Sequence, residues 1–241
     1  MAKNPGQSWL DLYQELSSTV GAVGSDPVFY RGQRDASWPL KPGLARQNVN
    51  RSDVLEQIAY FDFVTRAGGL LKSASSWETL LTMQHHGIPT RLLDWSNTLG
   101  VALYFALKDS TADAAVWVLN PFEFNEACWN SATVPMPFEL GGEYSDYFIS
   151  DTKAFEYDVV AISPARHNPR IDRQQGGFTL HGVLDRPLDE LHPKLVRKFV
   201  IPKSLHEDAW RFLRMSGISE FSLFPDLDGL AREICLEHFR Y

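Results

Sequence analysis

The sequence predicts an α+β fold, with a mixed, mainly antiparallel sheet flanked by helices. Three observations carry this reading. Roughly five or six strands and six or seven helices are legible from apolar periodicity, and they do not alternate regularly enough for a doubly wound parallel sheet. Residues 115–119 (AVWVL) carry few polar atoms, the pattern of a strand central in a sheet. Several helical stretches have their own start and stop residues.

Taken in order, Ser8 can cap a helix with Trp9, Leu12, Tyr13 and Leu16 on one face. Residues 21–27 form a loop, and 28–33 read as a buried strand ending in polar residues. Residues 38–43 (WPLKPG) are extended and turn-rich. Ser52 opens a helix with Leu55, Ile58, Phe61 and Val64 toward the core, closed or loosened by Gly68-Gly69. Ser75 and Glu78 form a capping box for a helix carrying Trp77, Leu80, Leu81 and Gln84. Gly87 supplies a left-handed stop, and Pro89 forbids continuation. Residues 91–95 read as a short strand. Thr98 caps the next helix, whose apolar face is Leu99, Ala102, Leu103 and Ala106.

Pro121 starts a short helix. A loop excursion at about 130–153 follows, rich in Gly and Pro. Within it, 135–150 reads as a mobile lid or partner-binding segment, because Phe138, Tyr144, Tyr147 and Phe148 cannot all be buried locally. Further strands are read at 159–162, after the polar run 167–175, and at 196–201, the last with the Lys/Arg interleaving of an edge. Ser204 caps a helix ended by Gly217. Residues 225–239 close the chain as a helix with Leu227, Leu230, Ile234 and Phe239 as its stripe.

The 241 residues, 44% hydrophobic and 22% charged, suffice for one large domain. A net charge of −7 argues against a general nucleic-acid coat protein and leaves a local basic cleft open. Cys128 and Cys235 are far apart and lack ligand spacing, so a reducing, cytoplasmic setting is expected and a structural zinc site is not. No apolar run reaches the roughly 18 residues of a membrane span. None follows Lys3 as in a signal peptide.

Chemistry is densest in residues 84–95 (QHHGIPTRLLDW). Arg31 has two readings: a fork holding a diphosphate or ribose, or a buried ion pair with a carboxylate such as Asp94. Gly32 permits close backbone approach, and Gln33 ends the same strand. His85 and His86 are helix neighbours, so at most one faces any site; each can serve catalysis or simply a helix C-cap. Arg91 and Asp94 project to opposite faces of their strand, and Asp94 beside Trp95 reads as a partly buried carboxylate. Thr90 can orient a ribose or phosphate, or be an ordinary turn residue. Gln174 and Gln175 can bond a nucleobase or ribose, or begin a strand.

Residues 29–33 (FYRGQ) resemble the aromatic-Arg-Gly signature of the FRG domain. Residues 84–95 with 102–106 (ALYFA) resemble its central block, 170–178 a later one, and 217–231 its ending. The resemblance implies a single FRG-like domain over 1–241 with its core at 28–231, from a family of bacterial and phage genes, some linked to phage defence and toxins. A weaker resemblance is to ADP-ribosyltransferases that open their site with aromatic-Arg-Gly, as Tyr30-Arg31-Gly32 does. Their third strand carries a catalytic Glu, where this chain has Gln174-Gln175-Gly176.

Two functions follow from these resemblances. The first is an NAD-dependent ADP-ribosyltransferase-like enzyme modifying a nucleobase or protein acceptor. Arg31, Gly32, Gln33, Thr90, Arg91 and Gln174 would bind NAD, and His85, His86, Asp94 and Gln175 would carry the chemistry. The second is a non-catalytic module that senses a nucleotide or partner.

Overall fold

In a computed structural model of the chain, residues 8–21, 28–47, 51–71, 75–163 and 176–239 are described. Their six strands form one sheet: β1 (Phe29–Gln33), β2 (Leu92–Ser96), β3 (Ala114–Leu119), β4 (Val159–Ile162), β5 (Gly176–His181) and β6 (Val196–Ile201), in the order β4-β5-β2-β1-β3-β6. Every pairing is antiparallel. The α+β class holds, and the strands of Phe29 and Leu92 are neighbours, as expected. β3 is buried at every position between β1 and β6, and the exposed Arg197 and Lys198 lie on the edge strand β6. β4, at the other edge, is fully buried. At Ala161 its main chain is met by Asn125, whose amide donates to the Ala161 carbonyl (2.8 Å) and accepts from the Ala161 N–H (2.8 Å). A buried side-chain amide thus takes the place of a neighbouring strand at this position, where the described residues offer none.

Ten helices surround the sheet among the described residues: α1 (Trp9–Gly21), α2 (Ser52–Ala67), α3 (Ser76–His85), α4 (Leu99–Leu107), α5 (Pro121–Trp129), α6 (Tyr144–Phe148), α7 (Leu188–Leu191), α8 (His206–Met215), α9 (Glu220–Leu223) and α10 (Leu227–His238). The strand period of two sorts the core. Val116 and Val118 join Leu12, Leu16, Leu103 and Leu213 of the helices on one side. Trp117 and Leu119 face the other way, with Phe29, Leu93, Trp95 and Phe124. A third cluster places Trp77 and Leu80 of α3 with Tyr144, Tyr147, Leu92 and Leu180. The Ser75–Glu78 capping box forms, Asn120 caps α5, and Gly87 adopts the left-handed conformation (φ 80°).

Three expectations are corrected. The predicted inner face of α2 is outside: Leu55, Ile58, Phe61 and Val64 are exposed, and the buried residue is Glu56. The turn toward the core is set by Glu56, which must reach Arg91. The stripe of α10 is likewise outward, with Leu227, Ile234 and Phe239 exposed. The segment read as a lid contains a 3-10 turn (Pro137–Leu140) and α6, and it packs down. Ser76 N and Oγ bond Glu143 Oε2 (3.0 and 2.6 Å), and Trp77 Nε1 donates to the Gly142 carbonyl (2.9 Å). Tyr144 and Tyr147 are buried, while Phe138 is exposed. Residues 22–27 and the polar run 167–175, with Gln174 and Gln175, lie outside the described residues. Among those described, no helix is long and apolar enough to cross a membrane.

Candidate functional site: a cationic cleft where two strands part

β1 and β2 share one register pair, Tyr30↔Ser96. Beyond it the ladder stops, and a cleft of about 790 Å³ opens between β1, β2, α4 and the start of β5. Its walls carry Arg31, Arg34, Arg46 and Lys108 against Asp94 and Asp109, with Tyr30, Trp38, Trp95, Phe105 and Phe178 among them. Among the described residues four cations line the cleft with two carboxylates; Lys108 also meets Glu220 from outside it (2.9 Å), so the excess of positive charge is modest.

Arg31 stands at the fork. Its Nη1 donates to the Asp94 main-chain carbonyl (2.7 Å), which the interrupted ladder leaves without a β1 partner. Its side chain is 16% exposed, and its buried Nε has no hydrogen-bond partner among the described residues. Burial lowers its pKa to about 10, Asp94 pulls the other way, and the like charge of Arg46 lowers it further. The guanidinium remains protonated at neutral pH, with a donor still to satisfy.

Asp94 is not partly buried as expected; its side chain is 55% exposed. Gln84 holds it, donating from Nε2 to Asp94 Oδ2 (2.8 Å) and accepting from the Thr90 hydroxyl (2.5 Å). Thr90 is buried and also accepts from Leu92 N–H (3.1 Å), so it supports the carboxylate from behind. Gly32 and Gln33 line the cleft, yet both have structural partners. A Cβ on Gly32 would overlap the Ala102 carbonyl oxygen and lie 2.6 Å from the Ala106 nitrogen, so the close approach its glycine permits is to helix α4. Gln33 accepts from Trp117 Nε1 (2.6 Å) and donates to the Pro39 carbonyl (3.2 Å).

Arg91 is elsewhere. Its Nε bonds both Glu56 carboxylate oxygens (2.9 and 3.0 Å), Nη2 bonds Glu56 as well, and Nη1 donates to the His181 carbonyl (2.7 Å). The Phe148 ring lies 3.7 Å from its guanidinium carbon, and Tyr144 donates to Glu56. Burial alone would lower the Arg91 pKa, but Glu56 holds it above the ordinary value. His85 and His86 end α3 with their rings 5.0 Å apart and do not line the cleft.

Arg31, Gly32, Gln33 and Asp94 of the predicted set therefore meet in one cleft; Thr90, Arg91, His85 and His86 do not line it. Sequence reasoning missed Arg34, Trp38, Arg46, Phe105 and Lys108. Arg34 directly follows the FYRGQ strand and Trp38 lies in the turn after it, which was the available signal. Arg46 and Lys108 come from separate elements, and only the fold brings them in.

Residues 26–115 match the family model of the FRG domain.

The FRG match runs from the residues before β1 into β3, and it contains every cleft residue named here except Phe178, with Gly176 and Gly177 of β5 also beyond it. The two later stretches that resemble the family lie outside it. No curated protein and no solved structure matches the chain.

Proposed function

We propose that the FRG-type cleft binds NAD as a substrate and that the chain transfers ADP-ribose from it to a nucleobase or protein acceptor. The observation that carries this reading is Arg31: its buried Nε has no partner among the described residues, in a cleft whose described cations outnumber its carboxylates. A buried donor without an acceptor is costly, and an anionic ligand such as a diphosphate satisfies it. The aromatic walls suit the flat rings of a dinucleotide.

In the reaction, the bond between nicotinamide and the ribose anomeric carbon breaks, and its electron pair leaves with nicotinamide. The cationic sugar needs a nearby carboxylate, by the logic of glycoside cleavage. Asp94 supplies it, held by Gln84 beside Arg31. A nucleophile of the acceptor then bonds to the anomeric carbon and loses its proton. The histidines are given no part, because neither lines the cleft.

A second reading, a non-catalytic nucleotide or partner sensor, is favoured by the sparse acid. Among the described residues the cleft has two carboxylates, and each faces an arginine: Asp94 lies 3.8 Å from Arg31 and Asp109 3.9 Å from Arg34. Nicotinamide release from NAD, with and without nucleic acid or protein lysate, separates the two. Release by the wild type, lost in Asp94→Asn, supports the enzyme. Tight NAD binding without release leaves the sensor.

A further inference from the structure

We propose that Trp38 is the platform on which the ring of a bound nucleotide stacks, with Arg31 and Arg46 taking the phosphate beside it. This rests on the nucleotide reading above and adds a subsite to it.

All seven tryptophans lie among the described residues, and Trp38 alone is exposed, at 42%. Its turn is not loose. Ser37 N and Oγ donate to Asp35 Oδ1 (2.8 and 2.6 Å), and Trp38 N donates to the Asp35 carbonyl (3.2 Å). Ala36 N donates to the Asp113 carbonyl (2.7 Å), Lys198 Nζ donates to the Ala36 carbonyl, and Gln33 holds the Pro39 carbonyl. The turn is thus tied to β1, to β6 and to the residue preceding β3. These bonds fix the main chain of the turn and leave the indole part-exposed on the wall of the cleft, a surface on which a flat ring can stack.

The surrounding charge narrows the ligand. The Arg34 guanidinium carbon lies 5.9 Å from the Trp38 ring centroid, over the ring, bracing it with a cation. Arg31 and Arg46 line the same cleft, where an anion can meet both. A ring next to a phosphate is a nucleotide, and a purely apolar ligand would leave the Arg31 Nε without an acceptor.

The test is calorimetric titration of AMP, NAD and ribose 5-phosphate into wild type, Trp38→Leu and Trp38→Phe. Loss of the ring in Trp38→Leu is expected to weaken AMP roughly 5- to 150-fold, the range of one base–aromatic stack. Trp38→Phe should retain most of the affinity, because a smaller ring still stacks. Ribose 5-phosphate, which has no base, should bind all three alike. Melting should not change, since the side chain is exposed. AMP and NAD bound equally by wild type and Trp38→Leu would overturn the platform and leave the NAD reading standing. Parallel loss of ribose 5-phosphate would overturn it too, by showing that the whole turn and not the ring matters. A wild type that binds neither NAD nor AMP would overturn the nucleotide reading itself.

Discussion

Arg31 is anchored to the main chain of Asp94 rather than to its carboxylate: Nη1 lies 2.7 Å from the carbonyl oxygen and 3.8 Å from Oδ2. The carboxylate is exposed. Asp94→Asn should therefore leave the fold intact, with stability changed by no more than about 0.5 kcal/mol, as for a surface substitution. Nicotinamide release should nonetheless be lost. A large drop in melting temperature would mean that the two residues are a structural pair.

Arg91 is the reverse case. Its guanidinium and the Glu56 carboxylate are both buried, each with a side chain 3% exposed. Glu56→Gln should cost roughly 3–5 kcal/mol, because the arginine charge is stranded away from water. A double variant, Glu56→Met with Arg91→Met, should recover much of that loss, and NAD affinity should be unchanged in it. An unaltered melting temperature in Glu56→Gln would refute the buried pair.

The contrast between these two arginines marks what the sequence could show. Both sit in motif-rich stretches at strand ends, and residue type alone does not separate a ligand-facing fork from a buried pair. The strands, the Ser75–Glu78 cap and the Gly87 stop were legible because they are local and periodic. The outward face of α2 was not legible, because it follows from a contact of Glu56 with a residue 35 positions away. The packed aromatics of α6 were hidden for the same reason: their partners are Trp77 and Arg91. Of the cleft, the FYRGQ strand and Asp94 were visible, while Arg46 and Lys108 needed the tertiary fold.

Gly32→Ala should destabilise the chain by roughly 1–3 kcal/mol, the range for overpacking, since the new methyl meets the backbone of α4. Thermal melting checks this. A neutral result would mean that β1 and α4 can separate freely.

His181 gives a pH dependence. It is fully buried, Nε2 lies 3.0 Å from Thr179 Oγ1, and Nδ1 has no partner among the described residues. Burial lowers its pKa to about 3, with Arg91, Arg31 and His192 adding to the effect. The unfolded chain takes up this proton near 6.5 and the folded chain does not. Stability is therefore full above about pH 6.5 and falls as pH drops toward 3. His192 and His206 are lowered as well and share this sign. Between pH 7.5 and 5.5, His181→Gln should lose less melting temperature than the wild type. Equal slopes would show that His181 is not a source of the loss.

The most direct measurement is calorimetric titration of NAD into wild type and Arg31→Lys, with the melting temperature of each. A fork that gives a diphosphate charged hydrogen bonds of about 1.5–3 kcal/mol each cannot be replaced by a point charge. The expected result is NAD binding by the wild type and a loss of more than about tenfold in Arg31→Lys, with melting unchanged. Wild-type protein that does not bind NAD, or an Arg31→Lys variant that binds it equally well, would contradict the assignment of this cleft.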